Sequence, residues 1–259
     1  MVCYTNTMKI FFFDIDGTLG IKGKFNDSVF YSLKKLKEKG YLSFICSGRP
    51  PFYIANIFGN LISGYICCNG RYIVYNNKTI FSKPLEKDLL EDVKQIIKQY
   101  NFSAMFVGEK HTYSFNADEN NINKMLQIYS QDILKPYNNE KDIYTFDLFY
   151  ENNPSFVDCC FKDYLVLNHH FGSNSCDCST INYNKGSAII YLLDYFSITK
   201  KDAYCFGDGS NDICMFDCLD NTIAMGNAIN GLKQKASYVT DTVTNDGVYK
   251  ALRHLKLID

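Results

Sequence analysis

Two short acidic clusters hold the residues best suited to chemistry. The first is Phe13-Asp14-Ile15-Asp16-Gly17-Thr18-Leu19, directly after the apolar stretch Lys9–Phe13. Two carboxylates two residues apart at the carboxyl end of a strand can both face the crevice above a parallel sheet. Water and apolar side chains cannot hold two such charges close together, whereas a hard divalent cation can. Gly17 permits the backbone to turn sharply there. The second cluster is Gly207-Asp208-Gly209-Ser210-Asn211-Asp212, again after an apolar run and before a helical pattern. Its two carboxylates, four apart with an amide between them, supply the oxygen ligands that Mg²⁺ prefers. A dinucleotide-binding loop fits poorly, because Asp212 replaces the third glycine of G-x-G-x-x-G and sets a carboxylate against pyrophosphate. A calcium loop fits no better, since no Gly and Glu follow at the spacing of an EF-hand.

Two weaker signals belong with these. In Cys46-Ser47-Gly48-Arg49, the Ser47 hydroxyl and the adjacent backbone N–H groups, Gly48 included, stand at a helix start and can hold a phosphate oxygen. Lys185, beside Gly186 at another helix start, offers a positive charge for the same anion. Singly they read as a capping serine and a surface lysine. Jointly, the four features lie at strand ends or helix starts, in an order that could surround one phosphoryl group.

The elements that must position them alternate. Lys9–Phe13 reads as a buried strand. Asn26 or Asp27 caps a helix bearing Val29, Leu33 and Leu36 at helical spacing, and Gly40 stops it. Strands follow at Tyr41–Cys46 and Tyr65–Cys68, with a helix opened by Pro50 and Pro51 between them. Tyr72–Tyr75 and Thr79–Phe81 form a hairpin around Asn76-Asn77. After Lys185 the pattern resumes as helix Gly186–Phe196, strand Ala203–Phe206, helix Asp212–Asp217 and strand Thr222–Ala224. Such βα alternation predicts an α/β fold, a Rossmann-like parallel sheet covered on both faces.

The middle of the chain differs. It reads as a helix near Leu85–Tyr100, strands at Ala104–Val107 and Thr112–Phe115, another helix, and two or three further strand-like runs. Residues 82–182 carry 9 basic and 15 acidic side chains, against 18 and 13 in the remainder. The change in pattern and charge sign predicts an inserted α+β domain at 83–182, between core segments 1–82 and 183–259.

At 259 residues with 46% apolar side chains, the chain can bury a sizeable core. A formal charge of −1 gives no electrostatic footprint for nucleic acid or an anionic membrane. No apolar run approaches membrane-spanning length, and the N-terminus has no export signal. Eleven cysteines, an odd number in a chain of this size, read as reduced thiols of a cytoplasmic protein. Cys159, Cys160, His169, His170, Cys176 and Cys178 bring zinc to mind, but their spacing matches no standard ligand set.

In order and spacing, DIDGTL at a strand end, then SGR, NKG and GDGSND resemble the haloacid dehalogenase superfamily. The insertion between SGR and NKG resembles its Cof-type, class IIB branch, whose α/β cap occupies that place. The likeness continues through Ala224-Met225-Gly226-Asn227-Ala228 and Asn245-Asp246-Gly247-Val248. It implies a phosphatase of small phosphorylated metabolites; the acidic inserted segment suits polyhydroxyl or neutral leaving groups and ranks sugar phosphates first, with pyridoxal phosphate or flavin mononucleotide next. In that reading Asp14 attacks phosphorus and becomes an aspartyl-phosphate. Asp16 protonates the departing oxygen and later deprotonates water. Ser47 and Lys185 hold the phosphate, with Asn211 nearby. Mg²⁺ is held by Asp208, the Asp14 carboxylate and the Asp16 backbone carbonyl, with Asp212 in support. A phosphomutase or phosphotransferase is the alternative within catalysis, and a non-catalytic phosphate-ligand sensor the alternative outside it.

Several positions depart from the family pattern. Gly20 replaces an apolar residue, which predicts a more flexible flap. Arg71 stands where small residues are frequent and either reaches substrate or, the favoured reading, solvates the surface. Arg49 either bridges core and cap or only holds its own loop. Residues 1–7 precede the usual start at Met8 and read as a disordered extension or a start-codon choice.

Overall fold

The computed structural model describes residues 8–129, 132–170 and 172–259. The expectation for residues 1–7 lies outside them.

Ile10–Phe13 has no polar side chain to turn outward, and all four residues are buried. Such a run belongs in the interior of a two-sided sheet. It lies between Ala203–Gly207 and Leu42–Cys46, parallel to both. The full sheet has eight strands, in the order Tyr238–Val239, Asn221–Ala224, Ala203–Gly207, Ile10–Phe13, Leu42–Cys46, Gly64–Cys67, Tyr72–Tyr75 and Lys78–Ser82. The first six are mutually parallel, and the last two add antiparallel. Asn76 and Asn77 turn that final hairpin with φ of 47° and 60°, the conformation a two-residue hairpin needs. Helix Asp27–Glu38 buries Val29, Leu33 and Leu36, as their spacing predicts. Helix Lys185–Phe196 is fixed at its start by a reciprocal cap between Asn184 and Ser187.

Residues 103–180 form a separate six-stranded sheet. Its order is Leu134–Pro136, Thr112–Phe115, Ser103–Val107, Thr145–Phe149, Ser175–Thr180 and Leu165–His169. Helices Lys87–Gln99 and Pro154–Phe161 help cover one face, sealing Val93, Ile97, Phe106, Phe146, Val157 and Phe161 into a core distinct from that of the large sheet. The sequence reading missed helix Pro154–Phe161, although its signals are present. Asn153 accepts the Phe156 N–H as a cap and Pro154 sits in the first turn.

Arg71 is not a surface residue. It is 2% exposed, and its guanidinium donates to the carbonyls of Lys83 and Pro84, to Thr180 Oγ1 at 2.9 Å and to Glu86 at 3.2 Å. It also stacks on Tyr183, 4.5 Å from the ring centroid. One cation thus ties both connections between the two sheets, where five donors on a rigid fork are useful. Gly20 has a packing reason of its own, since a Cβ there would lie 2.6 Å from both the Lys24 carbonyl and the Phe25 ring. No described helix is long and apolar enough to cross a membrane.

Candidate active site

Asp14 follows the Ile10–Phe13 strand, and its N–H continues the ladder to the Phe206 carbonyl at 3.1 Å. Parallel register sets it beside the end of Leu42–Cys46, which leads to Ser47, and beside the end of Ala203–Gly207, which leads to Asp208. Three neighbouring strand ends therefore deliver three of the expected residues to one crevice. Gly17 turns the chain at φ +93°, and a Cβ on it would lie 2.1 Å from an Asp208 carboxylate oxygen. Only glycine allows the two acidic loops to come this close.

Lys185, 1% exposed, donates to Asp14 Oδ1 at 2.6 Å and to Asp212 Oδ1 at 2.7 Å. Asp212 is fully buried, and its Oδ2 accepts the N–H groups of Asp208 and Gly209 at 2.8 and 3.0 Å. Asp14, Asp208 and Asp212 offer oxygens within 4.8 Å of one another, the one such group of His, Cys, Asp or Glu among the described residues. Three carboxylates against one lysine leave an excess of negative charge in a half-dry site. That donor set, all oxygen and doubly in excess, fits a hard divalent cation such as Mg²⁺.

The acidities follow from the crowding. Burial lifts Asp14 well above the carboxylate range, opposed by Lys185. Burial first, then the Asp212 charge, push Asp208 up to about 6. Burial works against the Lys185 ammonium, but Asp14 and Asp212 outweigh it and hold its pKa well above the ordinary value. A cation would favour the ionised carboxylates.

Ser47 is buried, and its Oγ accepts the Arg49 N–H at 3.2 Å. Gly48 lies next to it, with Asn69 packed over the position a Cβ would take. Asp16 is exposed and paired with Arg49 Nε at 2.9 Å. The same guanidinium stacks over Tyr53 and lies beside the Tyr129 hydroxyl, so Arg49 does join the two sheet regions. Asn211 sits half-buried on its turn, and its side chain bonds to none of Asp14, Lys185 or Asp212 among the described residues.

Sequence reasoning missed Thr18 and Asn227 as site residues. Thr18 Oγ1 donates to Asp208 Oδ1 at 2.9 Å, and Asn227 bridges the Gly17 carbonyl at 2.8 Å and Asp208 Oδ2 at 3.4 Å. It also missed the face of the six-stranded sheet that covers the crevice. Asp147 and Asp177 stand opposite each other there, Asn69 Nδ2 donates to Asp177 Oδ2 at 3.0 Å, and Ser210 Oγ bonds to Asn168 Oδ1 at 3.2 Å. A lone carboxylate in each of the runs Thr145–Phe149 and Ser175–Thr180 was the available signal. The thiols and imidazoles of this region scatter. Cys176 and Cys178 are buried, Cys159 is exposed, His169 bonds to Tyr150 and Asp158, and His170 turns toward Asp177.

Residues 11–252 match the model of a protein family described as haloacid dehalogenase-like hydrolases. The chain belongs to this family. It is 28% identical over 255 residues to the Bacillus subtilis protein named "Putative phosphatase YkrA", covering 96% of this chain and 98% of that one. A hypothetical protein of Geobacillus kaustophilus HTA426 superposes with TM-score 0.83 at 27% identity, over 97% of this chain and 100% of the other. The HAD subclass IIB sugar phosphatase BT4131 superposes with TM-score 0.82 at 23% identity over the same shares, and so shares the fold. Family, relatives and fold together place the chain among the phosphatases of this superfamily, with the class IIB architecture.

Proposed function

We propose that the chain is a Mg²⁺-dependent phosphomonoester hydrolase of small phosphorylated metabolites, sugar phosphates foremost, working through an aspartyl-phosphate on Asp14. The observation that carries this reading is the Lys185 ammonium held between Asp14 and Asp212 at 2.6 and 2.7 Å, inside a three-carboxylate cluster. Asp14 Oδ1 is occupied by Lys185, while Oδ2 takes no hydrogen bond from the described residues and is the oxygen available to attack phosphorus. A carboxylate nucleophile divides hydrolysis into two easier steps. Phosphoryl transfer otherwise needs positioning and charge neutralisation. Lys185 and the Ser47 hydroxyl, with the Gly48 N–H, would orient the equatorial oxygens, and Asn211 would stand near them. Asp16 gives its proton to the departing oxygen, then takes one from the water that attacks the acyl-phosphate. When bound, Mg²⁺ would be held by Asp14, Asp208, Asp212 and the backbone carbonyl of Asp16, and would supply charge neutralisation.

The assignment of residues 83–182 as a cap, between core segments 1–82 and 183–259, is part of the same proposal. Separate cores for the two sheets, joined through Arg71, support it. A cap closing over the crevice would exclude water and select the leaving group. The ten free cysteines among the described residues suit a reducing compartment, in keeping with a cytoplasmic enzyme.

The test is inorganic phosphate release from a panel of sugar phosphates, pyridoxal phosphate and flavin mononucleotide, with Mg²⁺ and with EDTA. Release that needs Mg²⁺ and favours a sugar phosphate supports the proposal. Equal rates with EDTA, or transfer to a sugar hydroxyl without release, would sink it.

A further inference from the structure

Above the Asp14 crevice, Asp147 and Asp177 are direct partners across adjacent antiparallel strands, with side chains on the same face. Like charges in that arrangement repel. Both strands are largely buried, so the acidic pair is not an accident of a solvated edge. The chain does little to neutralise it. Asp177 receives Asn69 Nδ2 at 3.0 Å, and His170 Nε2 stands 3.9 Å from its other oxygen. Partial burial lowers the His170 pKa, which leaves that imidazole uncharged near neutrality. Arg49 is close enough to attract Asp147, but its guanidinium is paired with Asp16.

A second observation lies between this pair and the Ser47–Gly48 turn. Asn69 is 3% exposed, and its Oδ1 is a buried acceptor with no partner among the described residues. Because the amide gives its N–H₂ end to Asp177, its oxygen is the end left asking for a donor. A buried acceptor without a partner is costly unless something supplies one. Two carboxylates and an orphan amide oxygen make a surface of acceptors only. It adjoins the phosphoryl position, since the Asn69 N–H donates to the Ser47 carbonyl at 3.3 Å and its amide packs against Gly48.

We propose that Asp147, Asp177 and Asn69 form the leaving-group subsite and select a polyhydroxylated leaving group that carries a basic amine. This rests on the phosphatase reading above. The ammonium sits between the two carboxylates, where one positive charge relieves their repulsion, and a neighbouring hydroxyl or N–H donates to Asn69 Oδ1. The strain it relieves is visible in the acidities. Burial and then the Asp177 charge lift Asp147 to about 7, and burial raises Asp177. A leaving group with a carboxylate or second phosphate meets the repulsion of both carboxylates there.

The test compares kcat/KM of the full chain with Mg²⁺ on matched esters, glucosamine 6-phosphate against glucose 6-phosphate and 2-aminoethyl against 2-hydroxyethyl phosphate. p-Nitrophenyl phosphate serves as the reference ester. The wild type is expected to favour the amine in at least one pair by about tenfold or more. Asp147→Asn and Asp177→Asn, shown folded by thermal unfolding, are expected to bring that ratio near one. A wild-type ratio near one in both pairs, or a ratio unmoved by both variants, overturns the inference while p-nitrophenyl phosphate turnover keeps the phosphatase reading standing. If no ester is turned over, both fall.

Discussion

Lys185 and Asp14, 171 residues apart in the chain, are both buried and meet at 2.6 Å. Asp212 completes the contact from the other side at 2.7 Å. Removing one partner of a buried ion pair costs about 3–5 kcal/mol, because the remaining charge is left without compensation. Lys185→Ala therefore strands three carboxylates together. We expect urea unfolding to show a loss in that range without metal, partly restored by saturating Mg²⁺. The same variant should lose at least about 100-fold in kcat/KM, as expected when a preorganised charge is removed from a transition state. Stability within about 0.5 kcal/mol of wild type would show that the lysine is not what holds the cluster.

Asp16 and Arg49 should separate by magnitude. Loss of a general acid or base costs typically about 10²–10⁴-fold. Asp16→Asn should fall in that range in kcat. Arg49→Ala removes the partner at 2.9 Å, a stack on Tyr53 and the contact with Tyr129, and should cost about tenfold. A poor leaving group should magnify the Asp16→Asn defect, and an activated aryl phosphate should mask it. Equal defects on both esters would remove Asp16 as the proton donor.

Arg71 tests the tie between the two sheets. With a nearly buried guanidinium bonded to both connections, Arg71→Ala should destabilise by about 2–4 kcal/mol in chemical unfolding. A surface arginine would cost no more than about 0.5 kcal/mol. Arg71→Lys should rescue only partly, since a single ammonium cannot reproduce the fork.

Much of this site was legible in the sequence, and the reason is topological. The two acidic loops, the Ser47 turn and Lys185 each follow an apolar strand or open a helix, so local pattern alone sets them at one end of one sheet. What could not be read were residues whose roles depend on the second sheet. Arg71 lies in a polar-looking turn between strands, and only the path of two distant connections past it makes it buried. Asp147 and Asp177 become partners only through the register that pairs Phe146 with Cys178 and Asp147 with Asp177 across two distant strands. Thr18 and Asn227 were spelled out within matched segments, but their aim at Asp208 needs coordinates.

Asp147 also predicts a pH dependence. It is an acid whose folded pKa is lifted from 3.8 to about 7 by burial and by Asp177. Between those values the folded chain holds the proton and the unfolded chain does not. The stability this site contributes is thus full below about pH 4 and lost as pH rises through 7. Asp147→Asn has no such loss. By thermal unfolding it should match wild type near pH 4 and exceed it at pH 8 by on the order of 1–3 kcal/mol, given partial exposure. A variant less stable than wild type at pH 8 would contradict the repulsion assigned to the pair.

The central claim is the covalent step on Asp14. A single turnover with excess enzyme, quenched in acid and digested, should show a phosphoryl group on the peptide containing Asp14. Asp14→Asn should keep the fold, carry no phosphoryl group and release no phosphate. A phosphoryl group on any other residue, or turnover by Asp14→Asn at the wild-type rate, would contradict the account.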